Sequence, residues 1–163
     1  MLMVKGMYSN KLICEILNYI DENIKNKITI EDLENKFFYN RYYIMKLFKK
    51  EIGLTIVEYI NSIRIYNSMM QIKGSNLNLI NIALKNGFYS LEYFSETFKQ
   101  ITKLNPRKFK DYFSYKKSIS IKDIDLINNS IIKLYEISKI KNNYLAKQKP
   151  TINPVKKLSI FKK

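Results

Sequence analysis

The chain has 163 residues, 46% hydrophobic and 26% charged, with a formal charge of +15. That is enough apolar material for a core, so wholesale disorder is excluded, and the length suits one domain or a compact unit with a tail. With no histidine and one cysteine, Cys14, an intramolecular disulfide, the Ser-His and Cys-His nucleophile pairs and the usual zinc ligand sets all drop out; no metal or cofactor is expected.

Only four glycines and three prolines punctuate the chain, which favours helices joined by short links over a many-stranded sheet. After a lead of residues 1–9, "KLICEILNYIDENI" sets Leu12, Ile13, Ile16, Leu17, Ile20 and Ile24 at helical spacing. Cys14 is expected among these as a buried apolar residue. Thr29, with Asp32 three residues on, opens the short helix "IEDLENKF". Asn40 caps "RYYIMKLFKKEI", which stops at Gly53. Thr55 starts a long connector helix to about Lys73, with Ile56, Tyr59, Ile60, Ile63, Tyr66 and Met70 as its stripe. Asn78 caps "LINIALKN", Gly87 ends it, Ser90 caps "LEYFSETFKQIT", and Pro106 sits in the first turn of a last short helix. Residues 114–163 form a Lys-rich tail with twelve Lys, no Arg and three acids. In it Ile124, Ile127, Ile131, Leu134 and Ile137 allow one helix over about 121–139. Beyond Lys139 disorder is expected, in keeping with Pro150 and Pro154.

One helix is written twice, fifty residues apart: "FYNRYYIMKLFKK" at 38–50 and "FYSLEYFSETFKQ" at 88–100. Each follows a short helix and a tight turn, which is a helix-turn-helix, first over about 29–52 and again over about 78–102. Tyr43, Phe48, Tyr93 and Phe98 are the shared aromatics and are expected in the core. The first copy is basic, with Arg41, Lys46, Lys49 and Lys50; the second carries Glu92 and Glu96. The overall charge points to a polyanion, either nucleic acid or an anionic membrane surface. Part of it reflects a composition rich in Lys, Asn, Ile and Tyr with three Arg. No apolar run approaches the about 20 residues of a membrane span, and the N-terminal residues are too weakly apolar for a signal peptide. A cytoplasmic location is expected.

Residues 10–113 resemble the tandem helix-turn-helix domain of the AraC/XylS transcriptional regulators. The resemblance is carried by "TIEDLENKF", "YIMKLFKKEIGLT", "EYINSIRI", "NLINIALKNGF" and "YFSETFKQITKLNP". It implies an all-α, seven-helix domain whose two recognition helices, about 41–52 and 91–102, enter adjacent major grooves of double-stranded DNA, with residues 114–163 as a basic tail. By the same resemblance, Tyr42, Met45 and Lys46 in the first helix, and Leu91, Glu92, Ser95 and Glu96 in the second, stand at base-reading positions. Arg41, Lys49, Lys50, Lys99 and Arg107 are placed to meet phosphates. Arg64 suits either a structural salt bridge or a phosphate contact. The family also implies a non-enzymatic activator that contacts RNA polymerase, and two readers in one chain remove the usual need to dimerise. Four residues depart from its pattern: Glu34 stands where Ala is favoured, Phe38 and Lys103 replace turn glycines, and Glu96 replaces an Arg. They leave open an alternative, a degenerate module for protein interaction or non-specific nucleic-acid binding. The Lys-rich tail adds a second rival, a binder of RNA or membrane surfaces.

Overall fold

The computed structural model describes the backbone of residues 2–114 and 120–148, and the side chains of 11–114 and 120–147. These residues form eight α-helices: α1 (Leu2–Glu22), α2 (Ile30–Phe37), α3 (Arg41–Ile52), α4 (Ile56–Gly74), α5 (Leu79–Lys85), α6 (Leu91–Thr102), α7 (Pro106–Phe113) and α8 (Ile121–Gln148).

The expected caps set the boundaries. The Thr29 hydroxyl accepts from the Asp32 amide at 3.1 Å while the Thr29 amide donates to the Asp32 carboxylate at 2.7 Å, a reciprocal capping box. Thr55 and Glu58 make a second one at the head of α4. Asn40, Asn78, Ser90 and Asn105 cap α3, α5, α6 and α7 through their side chains. Each cap satisfies an amide that the first turn of a helix leaves unpaired.

Helix α4 is the axis of the molecule. It packs against α3 on the first helix-turn-helix side, against α5, α6 and α7 on the second, and against α8. It is therefore buried on more than the single stripe its periodicity predicts: Ile56, Tyr59 and Ile60 are buried as expected, and Ser62, Ile65, Ser68, Met69 and Ile72 are buried too. Ile63, Tyr66 and Met70 are only partly covered. Arg64 is 8% exposed, against the expectation of a salt bridge or a phosphate contact. Its Nε donates to the Ile24 carbonyl at 2.9 Å and its Nη2 to the Asn26 carbonyl at 2.6 Å. The guanidinium thus satisfies carbonyls of the α1–α2 link, and it lies 5.9 Å from the Phe88 ring. The same link runs against Gly87, where φ is +80° and an added Cβ would stand 2.9 Å from the Ile24 and Lys25 oxygens. Only glycine fits there, on both counts. One short link is thereby bonded to the axis and seated against the turn of the second helix-turn-helix.

Three expectations at the ends change. The backbone of the lead is helical, since α1 begins at Leu2. Helix α8 runs nine residues past the expected end at Lys139. Ile140 and Tyr144 pack on the core and Lys141 pairs with Asp21 at 2.7 Å, which gives this stretch partners that composition does not show. Residues 149–163, with Pro150 and Pro154, lie outside the described residues. Nor is α8 an appendage: Ile127, Leu134 and Ile137 are buried, and it touches α1, α4 and α6. Ser130 donates to the Thr102 carbonyl at 3.2 Å, tying α8 to the end of α6. Cys14 is half-buried rather than buried, and its thiol is shifted up chiefly by burial.

Candidate nucleic-acid interface

Helix α3 buries Ile44, Leu47 and Phe48, so 3.6-residue periodicity turns Tyr42, Met45, Lys46 and Lys49 outward. Tyr42 is 75% and Met45 49% exposed, and Lys46 is exposed. These side chains share one face clear of the core.

The departure at Glu34 turns out to support that face. Glu34 does not wedge between α2 and α3. Its Oε1 accepts from the Arg41 amide at 3.0 Å, and its Oε2 takes the Arg41 Nε at 3.0 Å and Nη2 at 2.9 Å. A carboxylate spanning seven residues thus caps the head of α3 and holds its first side chain. The contact is one that sequence spacing does not reveal, because it closes across a turn. It also leaves Arg41 engaged rather than poised for a phosphate. Lys49 pairs with Glu58 at 3.3 Å, both side chains exposed, and Lys50, itself exposed, with the partly covered Glu51 at 3.9 Å. Glu58 lies below the usual carboxylate range because the Thr55 amide and hydroxyl bond it, with Lys49 adding to the effect. Of the cations expected to meet phosphates, Lys99 and Arg107 make no ion pair among the described residues, nor does Lys46.

Helix α6 repeats the scaffold with different content. Phe94, Thr97 and Phe98 are buried where the first copy has Ile44, Leu47 and Phe48. Glu92 and Glu96 are exposed, but Leu91 and Ser95 are only partly so, with Leu91 packed on the core. The outward surface of α6 is therefore narrower than that of α3. The charge differs as well: α3 carries four cations and one acid, α6 one cation and two acids.

Of the shared tyrosines, Tyr93 is partly covered and packs on the core, whereas Tyr43 does not. Tyr43 is 41% exposed and stacks on Tyr39 at 5.5 Å; Tyr93 stacks on Tyr89 at 4.8 Å. In both copies a Tyr just before the N-cap meets one in the first turn, fixing how the chain enters the helix much as a hydrophobic staple does. The positions given to core by the repeat alone belong to Ile44 and Phe94, one residue on. Tyr93 also accepts from Asn61 of α4 at 3.2 Å, which locks α6 to the axis.

The turns carry the expected strain. Phe38 and Lys103, which stand in place of turn glycines, are in the left-handed region at φ 58° and 61°. Both close the helix before them: the Phe38 amide donates to the Glu34 carbonyl and the Lys103 amide to that of Lys99. Among the described residues no His, Cys, Asp and Glu cluster suits a metal ion, and no helix is long and apolar enough to cross a membrane.

Comparison with known proteins agrees with this geometry. A family profile described as a helix-turn-helix domain matches residues 33–112, from α2 into α7. The HTH-type transcriptional activator AarP of Providencia stuartii is 29% identical over 103 residues, 63% of this chain and 76% of that protein. The multiple antibiotic resistance protein MarA of Escherichia coli is 28% identical over 95 residues, 58% of this chain and 75% of that protein. Among solved structures, the C-terminal domain of the two-component response regulator yesN from Fusobacterium nucleatum superposes with a TM-score of 0.56 at 25% identity, covering 58% of this chain and 93% of that one. The chain belongs to the AraC/XylS family of helix-turn-helix, DNA-binding transcriptional regulators.

Proposed function

We propose that the protein is a sequence-specific activator that works as a monomer in the cytoplasm, reading duplex DNA chiefly through α3. The observation that carries this is the outward face of α3: Tyr42, Met45 and Lys46 exposed together, on a helix whose head is held by Asn40 and Glu34. Lys46 donates to guanine O6 or N7, while Tyr42 and Met45 offer apolar contact to thymine methyls. Lys99, Arg107, Lys49 and Lys50 supply phosphate contacts, the last two after exchanging carboxylate partners for phosphate; the Lys49–Glu58 pair is exposed and so weak, and the Lys50–Glu51 pair is long at 3.9 Å. Helix α4, 19 residues long and so about 28 Å at about 1.5 Å per residue, sets the two readers near the about 34 Å spacing of successive grooves. In the second groove Glu92 and Glu96 are repelled by phosphates and have cytosine N4 as their usual base partner. Helix α6 is thus the weaker reader. Activation implies contact with RNA polymerase, as the family resemblance suggests and as the name of AarP, an activator, supports.

The test is competition binding. A duplex enriched by the protein should outcompete random duplex by at least about 10³ at physiological salt. Equal competition would instead favour the degenerate module, a general nucleic-acid binder or protein-interaction unit.

A further inference from the structure

The fold uses the backbone of Phe38 to close α2 but gives its ring nothing to pack on. As the closing residue of α2 it has φ 58° and ψ 32°, a left-handed conformation disfavoured by a side chain, and its ring is 92% exposed. It makes no ring contact among the described residues. The second helix-turn-helix solves the same turn differently. There Gly87 takes the left-handed position at φ 80°, and the aromatic that follows, Phe88, is 2% exposed. In the second turn glycine bends and phenylalanine packs; in the first, phenylalanine bends and packs against nothing. Glycine would close α2 there without strain, so a strained residue whose side chain is left exposed points to function.

The place of Phe38 says which function. It lies two residues before Asn40, the cap of α3, on the approach to the face formed by Tyr42, Met45 and Lys46. When the N-terminal end of a recognition helix enters the major groove, the turn before it comes to the groove lip, which is built of sugar and phosphate. A phenyl ring has no donor for phosphate, but it can cover the apolar face of a deoxyribose. We propose that Phe38 is a DNA-positioning residue that packs its ring on a backbone sugar at the lip of the groove read by α3. The inference rests on duplex reading by α3 and adds to it a contact that carries no charge and no base preference.

The experiment compares wild type with Phe38→Gly and Phe38→Asn, since asparagine tolerates the left-handed region but lacks a ring. Phe38→Gly should raise the melting temperature by about 2–4 °C by relieving the turn. Both variants should lose about tenfold in affinity, equivalent to about 1.4 kcal/mol, on selected and random duplex alike. The slope of log affinity against log salt should not change, because no counterion-releasing contact is removed. Unchanged affinity in both variants would overturn the proposal, as would a shallower salt slope or a loss confined to the selected duplex. If the wild-type chain itself fails to prefer its selected duplex, the reading by α3 falls and takes this proposal with it. Preserved wild-type discrimination with unaltered variants would sink the sugar contact alone.

Discussion

At the scale of single residues, Lys46 and Lys99 should separate two kinds of DNA contact. Lys46 stands exposed between Tyr42 and Lys49 on the outer face of α3 and has no ion pair among the described residues. Lys46→Ala should relax preference at one base position, costing about 1–3 kcal/mol there and sparing other sequences. Lys99→Ala should weaken every duplex and reduce the salt slope by about one. Binding isotherms over a salt series on selected and single-substituted duplexes check both, and equal losses on all sequences for Lys46→Ala would contradict its reading role. The outward positions of α3 were legible in the sequence because periodicity and family pattern agree on them. The Arg41 role was not, since its partner Glu34 lies across a turn rather than at a helical spacing. Arg64 left a trace that goes unread without the structure: it follows Ile60 by four residues and so shares a face with it, while its carbonyl partners lie 38 and 40 residues away. A repeat shows that a residue is needed twice, not which side of the helix needs it, so Tyr43 stands exposed while its counterpart Tyr93 packs on the core.

Among the elements, α8 departs most from what composition suggests. Its lysines hide a stripe that seats Ile127, Leu134 and Ile137 against the core, with Leu134 fully buried. The stripe itself was legible; its docking was not, because periodicity marks an apolar face without naming what covers it. Three anchors fix the helix along its length: Lys108 with Asp123 at 3.7 Å, Ser130 with Thr102, and Lys141 with Asp21. The two ion pairs are partly exposed and contribute little on their own, so the buried stripe holds α8 in place. Leu134→Ala should therefore destabilise the whole fold by about 2–5 kcal/mol, read as a lower urea midpoint with an unchanged slope. If α8 were a loosely attached tail, the unfolding free energy would change by less than about 0.5 kcal/mol, as for a surface substitution. The helices with clear caps were the most legible elements: Thr29, Asn40, Asn78 and Ser90 each mark a start that the structure keeps.

In the molecule as a whole, two copies of one scaffold are presented on a common axis and differ most in what they show outward. Helix α4 joins them, the α1–α2 link meets Arg64 of the axis and Gly87 of the second turn, and α8 touches α1, α4 and α6. The relative placement of the readers is thus fixed by packing on three sides, and the asymmetry between them lies in chemistry: a broad cationic surface on α3, a narrow acidic one on α6. The most direct test is selection of bound sequences from a random duplex pool by the full chain. The proposed reading predicts one strongly conserved block, whose guanine contact is lost in Lys46→Ala, with at most weak cytosine-containing preference one helical turn away. A pool that stays unenriched after repeated rounds, or one whose dominant block survives Lys46→Ala unchanged, would contradict it.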